Sequence, residues 1–587
     1  MQQNMKCELY EQMIAKLEKF NPKNWKDIDD ILMQIRNPPE SHRIAVHTLF
    51  PKEIKNGIAF LTYDYGIDGV SMEMSKYAMS LQNIVFKKNK PKIHFIGGDF
   101  NPQADIVIRP EWERFKLKGS NGWGKWENAF WYNQLYKEEM PQDSQQSDKL
   151  AKEIWNQSVL LSKRLGKYLA DNNIHLLIPV NVCSNPGNLA LGLCIPLVTE
   201  LMDLFVLNSN HDYYWEGGKS VSDKKLGDLP GPRDHFFKNY ENRNFFDFFV
   251  KLYPWDGTKW IQTNINKIQS DKLQNKYNFA PNKVFELATS ISDKFFTNYT
   301  EEDIKSVRLR MAYILSDGYP QIHPQPVNIY LENLELWMSN QKPLVCAFSE
   351  NLTLDITTKE TIYLLQPTRI IGRKRIKKDI ELIDALLHYQ DFRNEFFNNQ
   401  KKQIILHITG PVPIEHQNDL EVILNTYIQV CEKLPKSVSN RLFLAFSVGT
   451  EEHSIFPKKR FQRLYIHDIY QLATAIVFPS ETEGRGLPIV ESSAGGVPII
   501  CSRYSPVEVF NDVVGKTFDE QEQIKYTLFP EDEFPRDFLH NVSNLLLYPE
   551  KNKLINEQNR KAVQKRYSEV TMENNLKVLL GKFAQTN

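Results

Sequence analysis

Two glutamates in a glycine-rich segment are the side chains best placed to do chemistry in this sequence. Glu483 and Glu491 lie eight positions apart in ETEGRGLPIVESSAGGVPII. Gly486 between them allows a ligand to approach the backbone closely, and Pro488 suits the first turn of a helix because its missing N–H is not needed there. The pattern predicts a loop that carries Glu483, followed by a helix that carries Glu491 one turn inside it.

The start of this helix is predicted to bind an anion. The first amides of a helix have no intrahelical partner, and the helix dipole places positive charge at the same end. Phosphate oxygens would lie at Gly486, Leu487 and Pro488, while the two carboxylates would accept hydrogen bonds from hydroxyl groups. Two glutamates at this spacing often arise by chance, but the glycines and the flanking strand ends favour a site for a diphosphate between two sugars.

A basic segment earlier in the chain supplies the cations that a diphosphate requires. QPTRIIGRKRIKK follows a strand-like run and opens a helical one, and its candidate cations are Arg369, Lys374 and Arg373. The chain has 72 Lys and Arg against 72 Asp and Glu, so cations must be clustered locally. A solvated basic helix face is the more common use of such a run, but its position at the same end of the predicted sheet as the glutamates favours the site.

The longer stretch PSETEGRGLPIVESSAGGVPIICS resembles the donor-binding signature of retaining GT-B glycosyltransferases of the broad GT4 family, the glycosyl transferases group 1. It departs from that signature at Arg485, where the family usually has an aromatic or aliphatic residue. The resemblance implies that Arg369 and Lys374 hold the donor diphosphate. It also implies that Glu491 binds the ribose and Glu483 the donor sugar, and that no covalent intermediate forms.

Landmarks in the first half of the chain are similar to the same family. Gly69 lies in DYGIDGVS, which resembles the glycine loop near the donor phosphates, and His211 in LNSNHDYYWEGG resembles the active-site histidine that borders the transferred sugar. Asn185, Asp212 and Tyr214 are candidate acceptor-side contacts, with the aromatic run expected to stack on sugars. A routine glycine turn, a buried structural histidine and core aromatics are the alternatives.

The elements that must position these residues alternate between β-type runs and amphipathic helices. This alternation predicts an α/β protein with two doubly wound, Rossmann-like domains, whose ligands bind beyond the carboxyl ends of the strands. We predict an acceptor-side domain with a helical amino-terminal extension at 1–345 and a nucleotide-sugar-binding domain at 346–565. The resemblance implies the GT-B arrangement of the two domains across a cleft, and a final helix at 566–587 that crosses back to the first domain.

Composition excludes several classes of protein. The 587 residues are 41% hydrophobic and 25% charged, as in soluble globular proteins, and a net charge of zero argues against a general nucleic-acid binder. Six scattered cysteines predict a reducing, cytoplasmic setting. The longest apolar run, 188–207, is interrupted by charges and a proline, so no transmembrane segment is predicted, although peripheral membrane contact stays open. No metal or cofactor is predicted; the only D-x-D, Asp27 to Asp29, is interpreted as a helix cap.

The sequence therefore predicts a retaining hexosyltransferase. A hexose would pass from a nucleotide-diphosphate sugar, acting as co-substrate, to a hydroxyl of a carbohydrate, lipid or small-molecule acceptor. The catalytic candidates are Glu483, His211, Arg369 and Lys374. Two alternatives stay open: a nucleotide-sugar epimerase of the same fold, and a non-catalytic nucleotide-sugar-binding module, which Arg485 favours.

Overall fold

The computed structural model describes residues 2–36, 50–66, 68–87, 89–102, 104–122, 134–135, 138–216, 239–413, 416–450 and 453–584. These residues form two compact units. The first unit contains the described residues up to Ser290 and those from Glu569 onward, and the second runs from Ile291 to Ser568.

The first unit is built on a parallel sheet of seven strands. The strands of this unit are β1 Ile58–Leu61, β2 Asp64–Tyr65, β3 Ile93–Gly97, β4 Asp99–Phe100, β5 Glu113–Lys116, β6 Leu176–Pro179, β7 Phe205–Asn210, β8 Trp260–Asn264 and β9 Val284–Glu286. Their order in the sheet is β5-β3-β1-β6-β7-β8-β9, and every neighbouring pair is parallel, while β2 and β4 form a separate ladder. Its α-helices are Gln2–Leu17, Trp25–Ile35, Phe50–Glu53, Gly69–Leu81, Ala104–Val107, Gln145–Asp171, Leu189–Leu201, Arg243–Leu252, Lys267–Asn275 and Glu569–Ala584.

The second unit contains an eight-stranded sheet. Its strands are β10 Gln325–Pro326, β11 Leu344–Ala347, β12 Thr361–Gln366, β13 Gln403–Ile408, β14 Leu442–Phe446, β15 Ala475–Phe478, β16 Ile499–Cys501 and β17 Thr527–Leu528. The order is β10-β11-β14-β13-β12-β15-β16-β17, parallel except between β11 and β14. Its α-helices are Glu301–Leu315, Val327–Glu332, Leu334–Asn340, Lys377–His388, Gln390–Asn398, Gln417–Lys433, Lys436–Ser439, Ile455–Lys459, Ile466–Tyr470, Leu487–Gly495, Val507–Val514, Arg536–Leu547 and Lys553–Tyr567.

Both sheets are doubly wound, so the predicted α/β fold class is confirmed. Taken in chain order within each sheet, six strands of each unit follow the order 3-2-1-4-5-6, which is that of a dinucleotide-binding sheet. In such a sheet the strand order reverses between the first and fourth strands, and ligands bind beyond the carboxyl ends there. This switch point lies between β1 and β6 in the first unit, and between β12 and β15 in the second.

Burial on both faces explains why the central strands form a parallel sheet. In β1, Ala59 and Leu61 belong to one apolar core and Ile58 and Phe60 to another, and all four are fully buried. Strands covered on both sides must be apolar along their whole length instead of alternating. The continuous apolar runs noted in the sequence have this origin.

Residues 291–345 lie in the second unit, although the sequence analysis placed them in the amino-terminal domain. Their aromatic side chains explain the difference: the rings of Tyr330 and Trp337 lie 5.9 and 5.7 Å from the ring of Phe446 in β14. The carboxyl-terminal helix Glu569–Ala584 belongs to the first unit, where Phe583 packs 5.1 Å from the ring of Phe50.

The described residues include neither a membrane-spanning helix nor a metal-binding cluster. None of their helices combines the length and the apolar character needed to span a membrane. Across the same residues, no cluster of three or more His, Cys, Asp or Glu side chains could hold a metal ion.

Candidate functional site

The helix that follows β15 begins at a glycine, which has no side chain to cap it. It runs from Leu487 to Gly495, and its N-cap residue, Gly486, has a left-handed backbone (φ 63°) and provides no side-chain hydrogen bond. A Cβ at Gly486 would lie 2.1 Å from the hydroxyl of Tyr504, so only glycine fits. The first amides of this helix are therefore not capped by a side chain of the N-cap residue, and they stand at the carboxyl edge of the sheet, as the sequence predicted.

Backbone hydrogen bonds tie this loop to the basic loop after β12. The amide of Glu481 donates to the carbonyl of Arg373 at 2.9 Å, and the Arg373 guanidinium donates back to the carbonyl of Thr482 at 2.6 Å. The ammonium of Lys374 forms an ion pair with the carboxylate of Glu483, and Arg373 lies 3.9 Å from the other oxygen of that carboxylate. The structure thus brings three predicted site residues together at the switch point.

The Lys374–Glu483 pair is largely withdrawn from water. The side chains are 9% and 11% exposed, and the ammonium lies 5.6 Å from the centre of the Phe478 ring. Burial lowers the pKa of Lys374, opposed by the Glu483 carboxylate and assisted by the nearby charges of Arg373 and Arg369. Arg369 itself is exposed, so it is the cation of this loop most open to a ligand from solution.

Glu491 is oriented by a tyrosine that the sequence analysis did not identify. The hydroxyl of Tyr470 donates to Glu491 Oε2 at 2.6 Å, and Tyr470 is fully buried. Burial, then the charge of Glu491, raises the pKa of Tyr470 well above its usual value. The phenol therefore stays protonated and holds one carboxylate oxygen. Tyr470 is 21 positions from Glu491, and no local signal in the sequence pairs them.

Arg485, the departure from the family signature, lies on the loop beside these residues. Its side chain is partly buried, and its charge lowers the pKa of Tyr567, although burial of that phenol dominates and raises the pKa to about 12. A cation thus stands where the family usually has an aromatic or aliphatic residue, packed close to the end of the helix Lys553–Tyr567.

In the first unit, the loops after β6 and β7 are joined through Asn181. Its side chain donates to Asp212 Oδ2 at 3.1 Å and accepts from the Asp212 amide at 2.9 Å. Its carbonyl accepts from the amide of Asn185 at 3.1 Å. Asn181 has a positive φ of 64°, a conformation that asparagine tolerates better than most residues. Asp212 is exposed and Asn185 half-buried, and both stay predictions for the acceptor side.

His211 lies beside this pair and is anchored through its backbone. Gln269 donates from one amide nitrogen both to the carbonyl of His211 at 3.0 Å and to Glu216 Oε2 at 2.8 Å. Glu216 also accepts from the amide of Tyr213 at 2.9 Å. Burial raises the pKa of Glu216 to about 7. The half-buried His211 therefore stands on a segment fixed by a carboxyl group that is itself half-buried.

The aromatic run after His211 is core, not a stacking surface for sugars. Tyr214 is 4% exposed, its hydroxyl lies 3.1 Å from that of Tyr277, and its ring packs edge-on against Phe249 at 5.0 Å. Tyr213 and Trp215 stack on each other at 4.0 Å. Because these rings pack against one another inside the unit, Tyr214 has a packing role in place of the expected acceptor-side contact.

Gly69 does not offer a free helix start to a phosphate. Asp68 caps the helix Gly69–Leu81 and accepts hydrogen bonds from the amides of Val70 and Ser71 at 2.8 and 3.0 Å. A carboxylate at this position occupies the amides and repels an anion. This helix start therefore does not provide the predicted donor contact at Gly69. The helix that begins at Leu487 differs, because its N-cap residue has no side chain to occupy the amides.

Part of the second unit is similar to a known protein family. The family model described as Glycosyl transferases group 1 matches residues 358–561, which lie in the second unit and include both loops of the site. Mannosylglucosylglycerate synthase from Petrotoga mobilis (strain DSM 10674 / SJ95) is 21% identical over 454 residues, 74% of this chain and 80% of that protein.

Two solved structures share a weaker likeness. A glycosyltransferase from Rickettsia africae ESF-5 has a TM-score of 0.49 at 12% identity, with 90% of this chain and 99% of that chain covered. Anabaena Alr3699/HepE in complex with UDP and glucose has a TM-score of 0.48 at 10% identity, with 89% and 99% covered. The family model agrees with the resemblance found in the sequence: residues 358–561 are similar to a glycosyl transferases group 1 domain.

Proposed function

We propose that this protein is a glycosyltransferase that moves a hexose from a nucleotide-diphosphate sugar to an acceptor hydroxyl with retention of configuration. The observation that carries the proposal is the pairing, at the switch point of the second sheet, of a helix start preceded by glycine with a cationic loop. Amides and cations at one sheet edge are what a diphosphate requires. Carboxylates on the same loop and helix suit the hydroxyl groups on each side of it.

Each candidate site residue of the second unit has a distinct role in this proposal. Arg369, Arg373 and Lys374 neutralise the diphosphate as it becomes the leaving group, which is the charge that grows in the transition state. Glu491, held by Tyr470, accepts from the ribose hydroxyls. Glu483 accepts from hydroxyls of the donor sugar.

The bonds change on one face of the sugar. The bond between the anomeric carbon and the diphosphate oxygen breaks, and the acceptor oxygen bonds to that carbon. The acceptor's proton passes to a diphosphate oxygen, so the reaction needs no additional base. Holding the acceptor close to the reacting carbon provides much of the rate enhancement. In the first unit, His211, Asp212 and Asn185 stay predictions for the sugar and acceptor side.

The Petrotoga relative supports a choice of substrates to test. Its name states a product that contains mannose, glucose and glycerate. We therefore include glucose and mannose among the donor sugars, and glucosylglycerate among the acceptors. At 21% identity this choice is part of the proposal.

The test has two stages. A thermal-shift panel of UDP-, GDP-, ADP- and TDP-sugars is expected to reveal one nucleotide that raises Tm, since a ligand that binds only the folded state stabilises it. Incubation of that donor with the acceptor panel, followed by NMR of the new anomeric linkage, is expected to show transfer with the donor's configuration kept. An inverted linkage would contradict the retaining assignment, an isomerised nucleotide sugar would favour an epimerase, and binding without turnover would favour a binding module.

A further inference from the structure

The ion pair between Lys374 and Glu483 joins two groups to which the proposed function gives different ligands. Lys374 is there to meet the donor's diphosphate, and Glu483 to meet the donor's sugar. In the structure they bind each other, with side chains only 9% and 11% exposed. Arg373 lies 3.9 Å from the same carboxylate, but its short hydrogen bond of 2.6 Å is donated to the carbonyl of Thr482. Lys374 is therefore the principal counter-ion of Glu483.

A diphosphate and this carboxylate must compete for one ammonium group. Lys374 is 7% exposed and is packed over Phe478, so it has little room to hold two anions at once. An intact donor compensates for the loss of the ion pair, because its sugar hydroxyls give the displaced carboxylate new hydrogen bonds. A nucleoside diphosphate without a sugar gives Glu483 nothing in return.

We propose that Glu483 acts as a release latch: after transfer it returns to Lys374 and displaces the nucleoside diphosphate product. This inference rests on the proposed function and adds a second task to a residue of its site. It makes the site prefer the intact donor to the product, through competition within the protein. The latch has a consequence that a simple sugar contact lacks, because removing the carboxylate should tighten the binding of the product.

The decisive variant is Glu483→Gln, studied in the full chain. The ligand is whichever of UDP, GDP, ADP and TDP raises Tm most, and Kd is measured by calorimetry. We expect the diphosphate to bind about tenfold more tightly than to the unchanged protein, the worth of one charge-assisted hydrogen bond. Turnover should fall, and inhibition by the added product should strengthen. Equal or weaker binding of the diphosphate would overturn the latch.

Two further variants separate the latch from a general charge effect. Glu531→Gln removes a carboxylate that accepts from Arg375 at 2.8 Å and is 59% exposed, without touching Lys374; it should leave Kd unchanged. In a Lys374→Met background, Glu483→Gln should lose most of its tightening. An equal gain in that background would show direct repulsion between carboxylate and phosphate, and would overturn the inference.

The remaining outcomes are also informative. If Lys374→Met alone leaves Kd unchanged, the proposed function fails at this site; if it weakens binding while Glu483→Gln does not tighten it, only the latch fails. Should Glu483→Gln unfold, judged by Tm, Glu483→Ala also frees Lys374 and carries the same expectation of tighter binding.

Discussion

Glu491 depends for its orientation on one phenol. Tyr470 is fully buried and donates to a single oxygen of the carboxylate at 2.6 Å. Tyr470 is thus a positioning residue, acting on the nucleotide through Glu491.

Tyr470→Phe is therefore expected to raise the Kd of the nucleoside diphosphate by about fivefold, in line with the ~1 kcal/mol of one hydrogen bond. Glu491→Ala should raise Kd further, and adding Tyr470→Phe to it should cost nothing more, since the phenol acts only through the carboxylate. Calorimetry on the two single variants and the double variant measures this coupling.

A matched control is Tyr427→Phe, in the same unit. The hydroxyl of Tyr427 is buried and donates to the carbonyl of Leu442 at 2.6 Å, within the core. Its loss should lower Tm without a change in Kd. Additive effects of Tyr470→Phe and Glu491→Ala would show that the tyrosine does not act through Glu491.

At the scale of elements, the helix Leu487–Gly495 is placed by the glycine before it. Gly486 combines a left-handed backbone with contact against Tyr504. A side chain there is strained by about 1 kcal/mol in its backbone alone, and its Cβ would meet the phenol oxygen at 2.1 Å. The helix start must shift to relieve both.

Gly486→Ala should consequently lower the affinity for a nucleoside diphosphate by at least about tenfold, because misplaced amides lose charge-assisted hydrogen bonds. Tm should fall by a few degrees. Gly484→Ala is the control: Gly484 is exposed and is not among the glycines with positive φ, so both quantities should stay close to their original values. Normal binding by Gly486→Ala would remove the helix start from the donor site.

Local signals in the sequence determined which elements could be predicted. The loop, the proline and the paired glycines predicted the end of β15, the helix Leu487–Gly495 and β16. The partners Tyr470 and Tyr504 could not be predicted, because they meet the site only through the fold. Nor could the sequence distinguish a strand-end aromatic such as Tyr214 from a sugar-stacking surface, since burial depends on neighbours distant along the chain.

Over the whole molecule, two half-buried carboxyl groups of the first unit link stability to pH. Burial raises the pKa of Glu200 to about 7, despite a hydrogen bond from Trp255 and the charges of Lys283 and Arg36; burial likewise raises the pKa of Glu216 to about 7. Both carboxyl groups therefore keep their protons in the folded protein at pH values where the unfolded chain has released them.

The direction in which pH changes the free energy of unfolding follows from this difference in proton binding. Between pH 4.5 and 7 the folded state binds more protons, so the free energy of unfolding falls as pH rises, by up to ~3 kcal/mol for each group, and levels off above pH 7. Glu200→Gln, which cannot ionise, should flatten part of this fall when urea unfolding is followed from pH 5 to pH 8. The exposed Glu531→Gln should leave the slope as it was. An unchanged slope in Glu200→Gln would show that Glu200 ionises in the folded protein as it does in the unfolded chain.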